Sequence, residues 1–346
     1  MDLGALFGNY NNFLDFTVGG LVFGAIYALI ALGYTMVYGV LQLINFAHSE
    51  VVMYGTFAVA WTFVLFHGTG DASWSLGRAL PILLVAVVAA MLMSGGIALL
   101  VERFAYRPLI NRNAPKLIAL ISAIGASFAL AEAMGLRDKF AKWFHLNEKL
   151  ANYTSSPGSS GKAMGQARDV YSNPVSIQPH GLFHIGGYDV TDVDLLVIVA
   201  ALVMMFALDS FVRRTKFGRG IRAVAQDPES AALMGVNSTR VVQVTFLVGG
   251  LMAGVAATLY MIKIGSTRQD AGFILGVKAF TAAVMGGIGN LRGALLGGLL
   301  LGVMENWGSA VFGSEWKDVV AFVLLVLILL VRPSGLLGEA LGKARA

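Results

Sequence analysis

Residues 213–240 read RRTKFGRGIRAVAQDPESAALMGVNSTR, a basic and polar island between two long apolar segments. A stretch this rich in charge must lie outside the lipid, so it forms a loop on the wet face of a membrane protein. Its pattern predicts a short helix, with Asp227 as the N-cap, Pro228 at the first helical position and Gly235 in the left-handed C-terminal position. Glu229 falls in the first turn, where the helix dipole favours a negative charge.

The composition is that of a helical membrane protein with several spans. Hydrophobic residues make up 57% of the 346 residues, charged residues make up 13%, and the mean hydropathy is +0.72. A water-soluble protein could not carry so much apolar surface. The chain has no cysteine, which excludes disulfides, thiolate metal sites and cysteine nucleophiles. The net charge of +5 is expected from basic cytoplasmic loops, so no nucleic-acid partner is predicted.

Apolar runs of about 20 residues predict the spans, because that length of helix crosses the hydrocarbon. Seven such runs cover 16–40, 46–66, 80–101, 116–136, 193–211, 240–262 and 316–332. Residues 274–311 add a glycine-interrupted pair, interpreted as a short helix, a tight turn and a helix from about Arg292 to Val311. The predicted fold is therefore an all-α polytopic integral membrane protein with eight or nine membrane helical elements, in one transmembrane domain over residues 1–346.

The distribution of lysine and arginine predicts the orientation. The loops at 103–116 and 212–239 are dense in basic residues and should be cytoplasmic. Parity then places residues 67–79 and a long loop at 137–192 on the outside. The same count puts the N-terminus outside and the C-terminus inside. The first 16 residues carry acids and no basic residue, so we expect a retained first helix and not a cleaved signal peptide.

Three basic residues run against this orientation, because Arg137, Lys139 and Lys142 follow the fourth span on the predicted outer side. Acidic residues of the same loop offset them, and parity agrees with both dense basic loops, so the assignment is kept.

The long outer loop divides into two parts by composition. Residues 138–151 place four large apolar side chains near one helical face, as in a helix lying on the membrane surface; these are Phe140, Trp143, Phe144 and Leu150. Residues 152–192 are rich in Ser, Gly, Pro and Asn and are expected to be irregular.

No motif for catalysis is evident. The chain has no Walker A loop, and its nearest imitation, at residues 158–163, lacks the required spacing, so we expect no ATP binding or hydrolysis by this chain. There is no nucleophile elbow. His48 and Glu50 lack a second histidine at helical spacing, so no metal site is predicted. The chain is predicted not to be an enzyme and to hold no cofactor of its own.

Polar residues enter an apolar span in the stretch Asn45-Phe-Ala47-His48-Ser-Glu50. Two interpretations remain open. These residues either cap the inner end of the second span, where water is close, or line a pathway at a discontinuous helix.

The glycine turn that contains Gly286, Gly287 and Gly289 is the corresponding interruption in the second half of the chain. Glycine-interrupted segments in two halves are typical of a substrate path. For Gly297 and Gly302 ordinary close packing of helices explains the pattern equally well.

Four further polar residues fall inside predicted spans, namely Glu132, Lys278, Glu305 and Asn306. Glu132 and Lys278 lie near outer ends, and the simpler interpretation is that they snorkel to the surface. Glu305 lies several residues inside its helix and is a candidate for a buried ion pair or a cavity wall.

Four motifs, in this order and spacing, resemble the LivH-type permeases of branched-chain amino acid ABC importers. They are INFAH at 44–48, GIRAVAQDPESAALMG at 220–235, KAFTAAVMGGIG at 278–289 and RPSGLLG at 332–338. The resemblance covers nearly the whole chain outside the outer loop, which is about 40 residues longer than loop-length priors lead us to expect. The sequence also departs from the family's pattern at Ser49, where the family usually has glycine.

The resemblance implies a permease subunit in the bacterial inner membrane. Its partners would be a second homologous permease, two cytoplasmic ATP-binding subunits that bind the ATP, and a periplasmic substrate-binding protein. The ATPase-coupling segment would consist of Asp227, Pro228, Glu229, Ser230, Ala231, Ala232, Leu233, Met234 and Gly235. The candidate translocation pathway comprises Asn45, Ala47, His48, Glu50, Lys278, Gly286, Gly287, Gly289 and Glu305.

Two alternatives stay open on the sequence. The same architecture would serve an importer of urea, short amides or other small solutes. An ATP-independent transporter or channel is the other class.

Overall fold

The computed structural model describes residues 10–67, 72–112, 114–145, 151–154, 168–185, 187–332 and 334–338. In chain order its helices are α1 (Tyr10–Leu41), α2 (His48–His67), α3 (Leu76–Val101), α4 (Arg107–Asn111), α5 (Lys116–Gly135), α6 (Arg137–Trp143), α7 (Ala151–Thr154), α8 (Asp192–Arg214), α9 (Lys216–Gln226), α10 (Pro228–Leu233), α11 (Ser238–Ile264), α12 (Ala271–Gly286), α13 (Leu291–Phe312) and α14 (Lys317–Val331). The strands are β1 (Ala72–Ser75), β2 (Tyr171–Ser172), β3 (Val175–Gln178), β4 (Gly181–Ile185), β5 (Tyr188–Thr191) and β6 (Ser266–Thr267).

The structure confirms the prediction of several apolar helices with the length of membrane spans. Among the described residues, 7 helices are long and apolar enough to cross a membrane. The apolar helices α12 and α14 are shorter, with 16 and 15 residues. The predicted glycine-interrupted pair is confirmed as α12 and α13, joined by a turn at 287–290. The third span is longer than predicted, since α3 continues through a π-helical turn at Glu102–Tyr106 into α4 and ends at Asn111.

The chain forms two compact units, each built from separate segments. The first unit comprises residues 1–44, 181–245 and 277–346, and the second comprises 45–180 and 246–276. Helix α11 begins in the first unit and ends in the second. The prediction of a single transmembrane domain stays a prediction.

The first unit is centred on the packing of α1 against α13. A Cβ added at Gly20 or Gly24 would lie within 3 Å of the α13 backbone, and one added at Gly298 or Gly302 would meet the α1 backbone as closely. In lipid the hydrophobic effect does not bring helices together. Small residues stabilise the pair because they let the two backbones approach closely. Close packing therefore accounts for Gly302. It also accounts for Gly297, whose added Cβ would meet the carbonyl oxygen of Ala282.

Glycines also allow close packing between helices of the second unit. Gly254 of α11 lies against the backbone of α3, and Gly55 of α2 faces Ser94 and Ala257. Towards one end of α2 the core is aromatic, with Phe57, Phe63 and Tyr171 fully buried.

The outer loop contradicts the expectation of irregular structure over 152–192. Its described part holds four short strands, because segments such as Val175-Ser-Ile-Gln178 alternate apolar and polar residues as strands do. Strand β3 pairs in parallel with β1, and β2 pairs antiparallel with β6. Residues 72–75, 171–178 and 266–267 therefore meet at one end of the second unit, as expected if loops 67–79 and 137–192 share a side.

The predicted surface helix at 138–151 is also shorter than expected. Helix α6 ends at Trp143, and His145 takes the left-handed conformation with φ 55°, which stops the helix. Phe140, Trp143 and Phe144 are exposed, as the prediction requires. Leu150 lies outside the described residues.

Candidate functional site

The short helix expected at 227–235 is confirmed with each of its signals in place. The carboxylate of Asp227 accepts hydrogen bonds from the backbone N–H of Glu229 at 3.0 Å and of Ser230 at 3.3 Å. The Ser230 hydroxyl also donates to Asp227, and chiefly for that reason the pKa of Asp227 lies below its ordinary value. Pro228 occupies the first position, and Gly235 has φ +83°.

One face of α10 is apolar and open to solvent. Leu233 is 89% exposed and Met234 is 85% exposed, whereas Ala231 faces inward and is buried. Exposed large apolar residues on a polar loop mark a surface that another protein can cover. Coupling through this helix remains a prediction, because the geometry shows a suitable surface and not its occupant.

Helix α10 is joined to the membrane helices of the first unit through α9. Thr215 caps α9 by accepting from the backbone N–H of Gly218 at 3.0 Å. Gly218 lies so close to the carbonyl oxygen of Val212 that a side chain could not fit there. Ile221 and Val224 are buried, and α9 packs against both α8 and α1. A push on α10 would therefore reach two membrane helices of this unit.

A cavity of about 780 Å³ opens where α8, α9 and the glycine turn meet within the first unit. Its charged wall contains three arginines and one aspartate, namely Arg213, Arg222, Arg292 and Asp209. Asp209 accepts from Arg213 Nε at 2.8 Å and lies 3.9 Å from Arg292 Nη2. This aspartate thus links the end of α8 to the start of α13.

The glycine turn needs its glycines. A Cβ on Gly286 would clash with the backbone of Gly293, and Gly287 and Gly289 have φ of +105° and +96°. Asn290 caps α13, accepting from the backbone N–H of Arg292 at 3.0 Å.

The C-terminal motif braces this turn, a contact that sequence reasoning missed. The backbone N–H groups of Leu336 and Leu337 donate to the carbonyls of Met285 and Gly286 at 2.8 and 3.0 Å. The Asn290 side chain donates to the carbonyl of Leu337 at 2.8 Å. The glycines at 335 and 338 were the available signal, because each lies against the backbone of Gly287.

The polar residues at the start of α2 form a buried cluster in the second unit. Asn45, Ala47, His48 and Glu50 are each no more than 2% exposed, so the interpretation as caps in contact with water is wrong for this chain. Their burial leaves the pathway interpretation open and untested.

Partners of this cluster come from distant helices. Asn45 accepts from the Tyr106 hydroxyl at 3.3 Å, and Glu50 accepts from Ser127 at 3.2 Å. Gly272 leaves room for the carboxylate, since a Cβ there would lie 2.8 Å from Glu50 Oε2. Sequence reasoning missed these three partners because serine, tyrosine and glycine are ordinary in apolar helices.

Ser49, which stands at a position where glycine is usual, is accommodated locally. Its hydroxyl donates to the carbonyl of Phe46 at 2.7 Å and lies 3.4 Å from Glu50. The extra side chain thus satisfies a backbone carbonyl at the start of α2.

Lys278 is buried and paired, so the snorkelling interpretation of this residue is wrong. Its ammonium group lies 3.0 Å from Glu305 and 2.7 Å from Asp318. The Tyr27 hydroxyl donates to the other Glu305 oxygen at 3.0 Å. The predicted buried ion pair at Glu305 is confirmed. Glu132, in contrast, is about half exposed and pairs with Arg168 near the C-terminal end of α5.

The candidate pathway residues thus fall into two groups, each described within its own unit. The second unit holds Asn45, Ala47, His48 and Glu50. The first unit holds Lys278, Gly286, Gly287, Gly289 and Glu305, with Lys278 and Glu305 in direct contact.

Comparison with known proteins adds an independent observation. A family model described as the permease component of branched-chain amino acid transport systems matches residues 16–329. The chain is 40% identical to the high-affinity branched-chain amino acid transport system permease protein BraD of Pseudomonas aeruginosa, over 95% of this chain and 96% of that protein. It is 39% identical to the high-affinity permease protein LivH of Escherichia coli, over 94% and 96%. A probable LivH of Methanocaldococcus jannaschii is 26% identical over 92% and 91%. No solved structure matches the chain.

Proposed function

This chain belongs to the family of branched-chain amino acid transport system permease components, and from that membership we propose that it forms the membrane path of an ATP-driven importer of branched-chain amino acids. It is an integral membrane protein with several spans. In the proposed orientation it lies in the bacterial inner membrane with loop 212–239 in the cytoplasm. The N-terminus would be outside and the C-terminus inside, although both termini lie outside the described residues.

The proposed assembly pairs this chain with a second homologous permease, two cytoplasmic ATP-binding subunits and a periplasmic substrate-binding protein. ATP would be bound by the partner ATPases, since this sequence has no Walker A loop. The binding protein would select the amino acid, and this chain would supply the passage.

The observation that carries the proposal is the exposed apolar face of the capped helix α10 within a polar loop. Leu233 and Met234 offer a contact for an ATPase subunit. A rigid-body push there would pass through α9 to α8 and α1, with which α9 packs. The Asp209 link between α8 and Arg292 extends the same route to the glycine turn before α13. Membrane subunits that lack their own energy source need such a mechanical contact.

The test is Leu233→Asp in the complete importer reconstituted in vesicles. Placing a carboxylate in an apolar contact costs several kcal/mol of docking free energy unless it is paired, so ATP-driven leucine uptake should fall by roughly a hundredfold or more. ATPase co-purification with the permease and the uptake rate are both measured.

The matched control is Leu182→Asp, at a leucine of strand β4 in the outer loop that is 53% exposed. It changes charge by the same amount and should leave ATPase binding and ATP-driven uptake unchanged. Normal assembly and uptake in the Leu233→Asp variant would show that α10 is not the coupling contact.

A further inference from the structure

The cavity of about 780 Å³ in the first unit is lined by both kinds of charge that a free amino acid needs in order to bind. Its wall combines guanidinium groups and one carboxylate with apolar side chains, among them Val212, Ile288 and Leu291. Gly289, one of the candidate pathway residues, is part of the same wall. A concave site with apolar residues and a few charged groups suits a small amphipathic ligand.

The aspartate of this cavity has one carboxylate oxygen without a hydrogen-bond donor. Asp209 Oδ1 accepts from Arg213 Nε at 2.8 Å, so that oxygen is occupied. Asp209 Oδ2 lies 3.9 Å from Arg292 Nη2, which is longer than a hydrogen bond, and it accepts none from the described residues. A carboxylate oxygen in this state is suited to accept from an ammonium group.

Two guanidinium groups of the wall have N–H groups that can donate to a carboxylate. The Arg292 side chain is 62% exposed, and its one ionic contact in the described part of the chain is that with Asp209. Arg222 is exposed and donates through Nη1 to the carbonyl of Val212, but no described carboxylate pairs with it. Guanidinium groups bind carboxylates well because their planar N–H groups match the two oxygens. The start of α13 lies in the same wall, where the positive end of its dipole favours a negative charge.

The aspartate favours an amino acid over a simple anion as the occupant. An anion such as phosphate would be attracted by the arginines but repelled by Asp209 in the same wall. A zwitterion can place its ammonium group on Asp209 and its carboxylate on Arg292, so that both charges are paired. A branched apolar side chain would contact Val212, Ile288 and Leu291, whose burial by the ligand is favourable.

We propose that this cavity is the release site of the transported amino acid, which Asp209 and Arg292 hold before it enters the cytoplasm. The inference rests on the proposed import of branched-chain amino acids. The ammonium group donates to Asp209 Oδ2, and the carboxylate accepts from Arg292 and Arg222. Arg222 belongs to loop 212–239, so the cavity opens on the predicted cytoplasmic side. Because both arginines are exposed to water, the ion pairs are weak and the amino acid can leave.

The first test measures ligand binding to the complex of this chain, its permease partner and the ATPases in nanodiscs, without nucleotide or binding protein. Saturation-transfer NMR should show leucine binding with a Kd on the order of a millimolar. 4-Methylpentanoate lacks the ammonium group and leucinamide lacks the carboxylate, so each should bind roughly fivefold more weakly than leucine. Equal binding of leucine and 4-methylpentanoate would make the cavity a simple anion site and overturn the proposal.

The second test removes each charge of the cavity separately. Asp209→Asn should weaken leucine binding roughly fivefold and should not weaken 4-methylpentanoate binding, because that analogue has no ammonium group. Arg292→Gln should weaken the binding of both ligands. A purely structural effect of Asp209→Asn would weaken both ligands alike, and that result would contradict the site.

The matched controls are Glu315→Gln and Arg214→Gln, which make the same charge changes at exposed positions outside the cavity wall. Both should bind the three ligands as the parent does. A loss of leucine binding in the controls as large as that in the cavity variants would overturn the assignment to this cavity.

Uptake by the complete importer distinguishes this inference from the proposed function. ATP-driven leucine uptake without leucine binding to the parent complex would leave the importer standing and overturn the release site. Binding with the expected pattern, in an importer that shows no ATP-driven uptake, would support the site and contradict the proposed function.

Discussion

Lys278 connects three helices of the first unit, because Glu305 of α13 and Asp318 of α14 both bind its ammonium group on α12. Glu305 is buried, and Tyr27 of α1 donates to its second oxygen. Asp318 is half exposed. Burying either charge of the Lys278–Glu305 pair without the other would therefore cost free energy in the membrane.

Lys278→Met should destabilise the protein by about 3–5 kcal/mol, since it leaves the Glu305 carboxylate buried and unpaired. The free energy of unfolding is measured by titration of mixed micelles with sodium dodecyl sulfate. The double variant Lys278→Met/Glu305→Met should recover most of this loss, because both charges are gone. A double variant as unstable as the single one would contradict the pairing.

Single residues show where sequence reasoning succeeds. Asp227, Pro228 and Gly235 act on backbone groups a few positions away, so their roles follow from local spacing. Lys278 finds partners 27 and 40 residues along the chain, and its paired state depends on helix packing. Sequence patterns near Lys278 favoured the snorkelling interpretation because they do not show which distant residues pack beside it.

At the scale of an element, α10 depends on one carboxylate. Asp227 accepts from two backbone N–H groups, and without it the first turn of a helix of 6 residues has little to hold it. The isolated helix is too short to be stable by propensity alone, so the cap and the buried Ala231 fix it.

Asp227→Ala should therefore unwind the start of α10. Hydrogen exchange at Glu229, Ser230 and Ala231 should accelerate, and ATP-driven uptake should fall, whereas Asp227→Asn keeps an acceptor and should stay close to the parent. Because the folded pKa of Asp227 is depressed, the cap contributes above the unfolded pKa and is lost as pH falls through the folded value. Protection of these amides should accordingly drop on acidification in the parent and not in Asp227→Asn.

Other elements escaped prediction because their partners are distant in sequence. Strand β1 is four residues long and pairs with β3 about 100 residues later. No local sequence pattern predicts this pairing. The brace of Leu336 and Leu337 on the glycine turn is of the same kind. In contrast, the spans follow from local hydropathy, because lipid imposes one length and one periodicity on each of them.

For the whole molecule, the question is whether transport needs ATP from its partners. The carboxylates at Glu50 and Glu305 have local hydrogen-bond donors, Ser127 in the second unit and Tyr27 in the first. Glu305 is also paired with Lys278. A carboxylate paired as Glu305 is suits a structural role better than a relay that binds and releases protons or sodium. Glu50 lacks such a pair, and its buried Oε2 has no hydrogen-bond partner among the described residues. In the proposed importer the energy arrives through loop 212–239.

We therefore expect vesicles that contain this chain, its permease partner, the ATPases and the binding protein to accumulate radiolabelled leucine only with ATP. Vesicles with this chain alone should show no leucine flux above that of empty vesicles, with or without a proton or sodium gradient. Excess valine should compete with leucine, and excess urea should not, because a binding protein for branched-chain side chains excludes urea. Gradient-driven flux through the chain alone would place it among the ATP-independent transporters, whereas competition by urea alone would keep the importer and change its substrate.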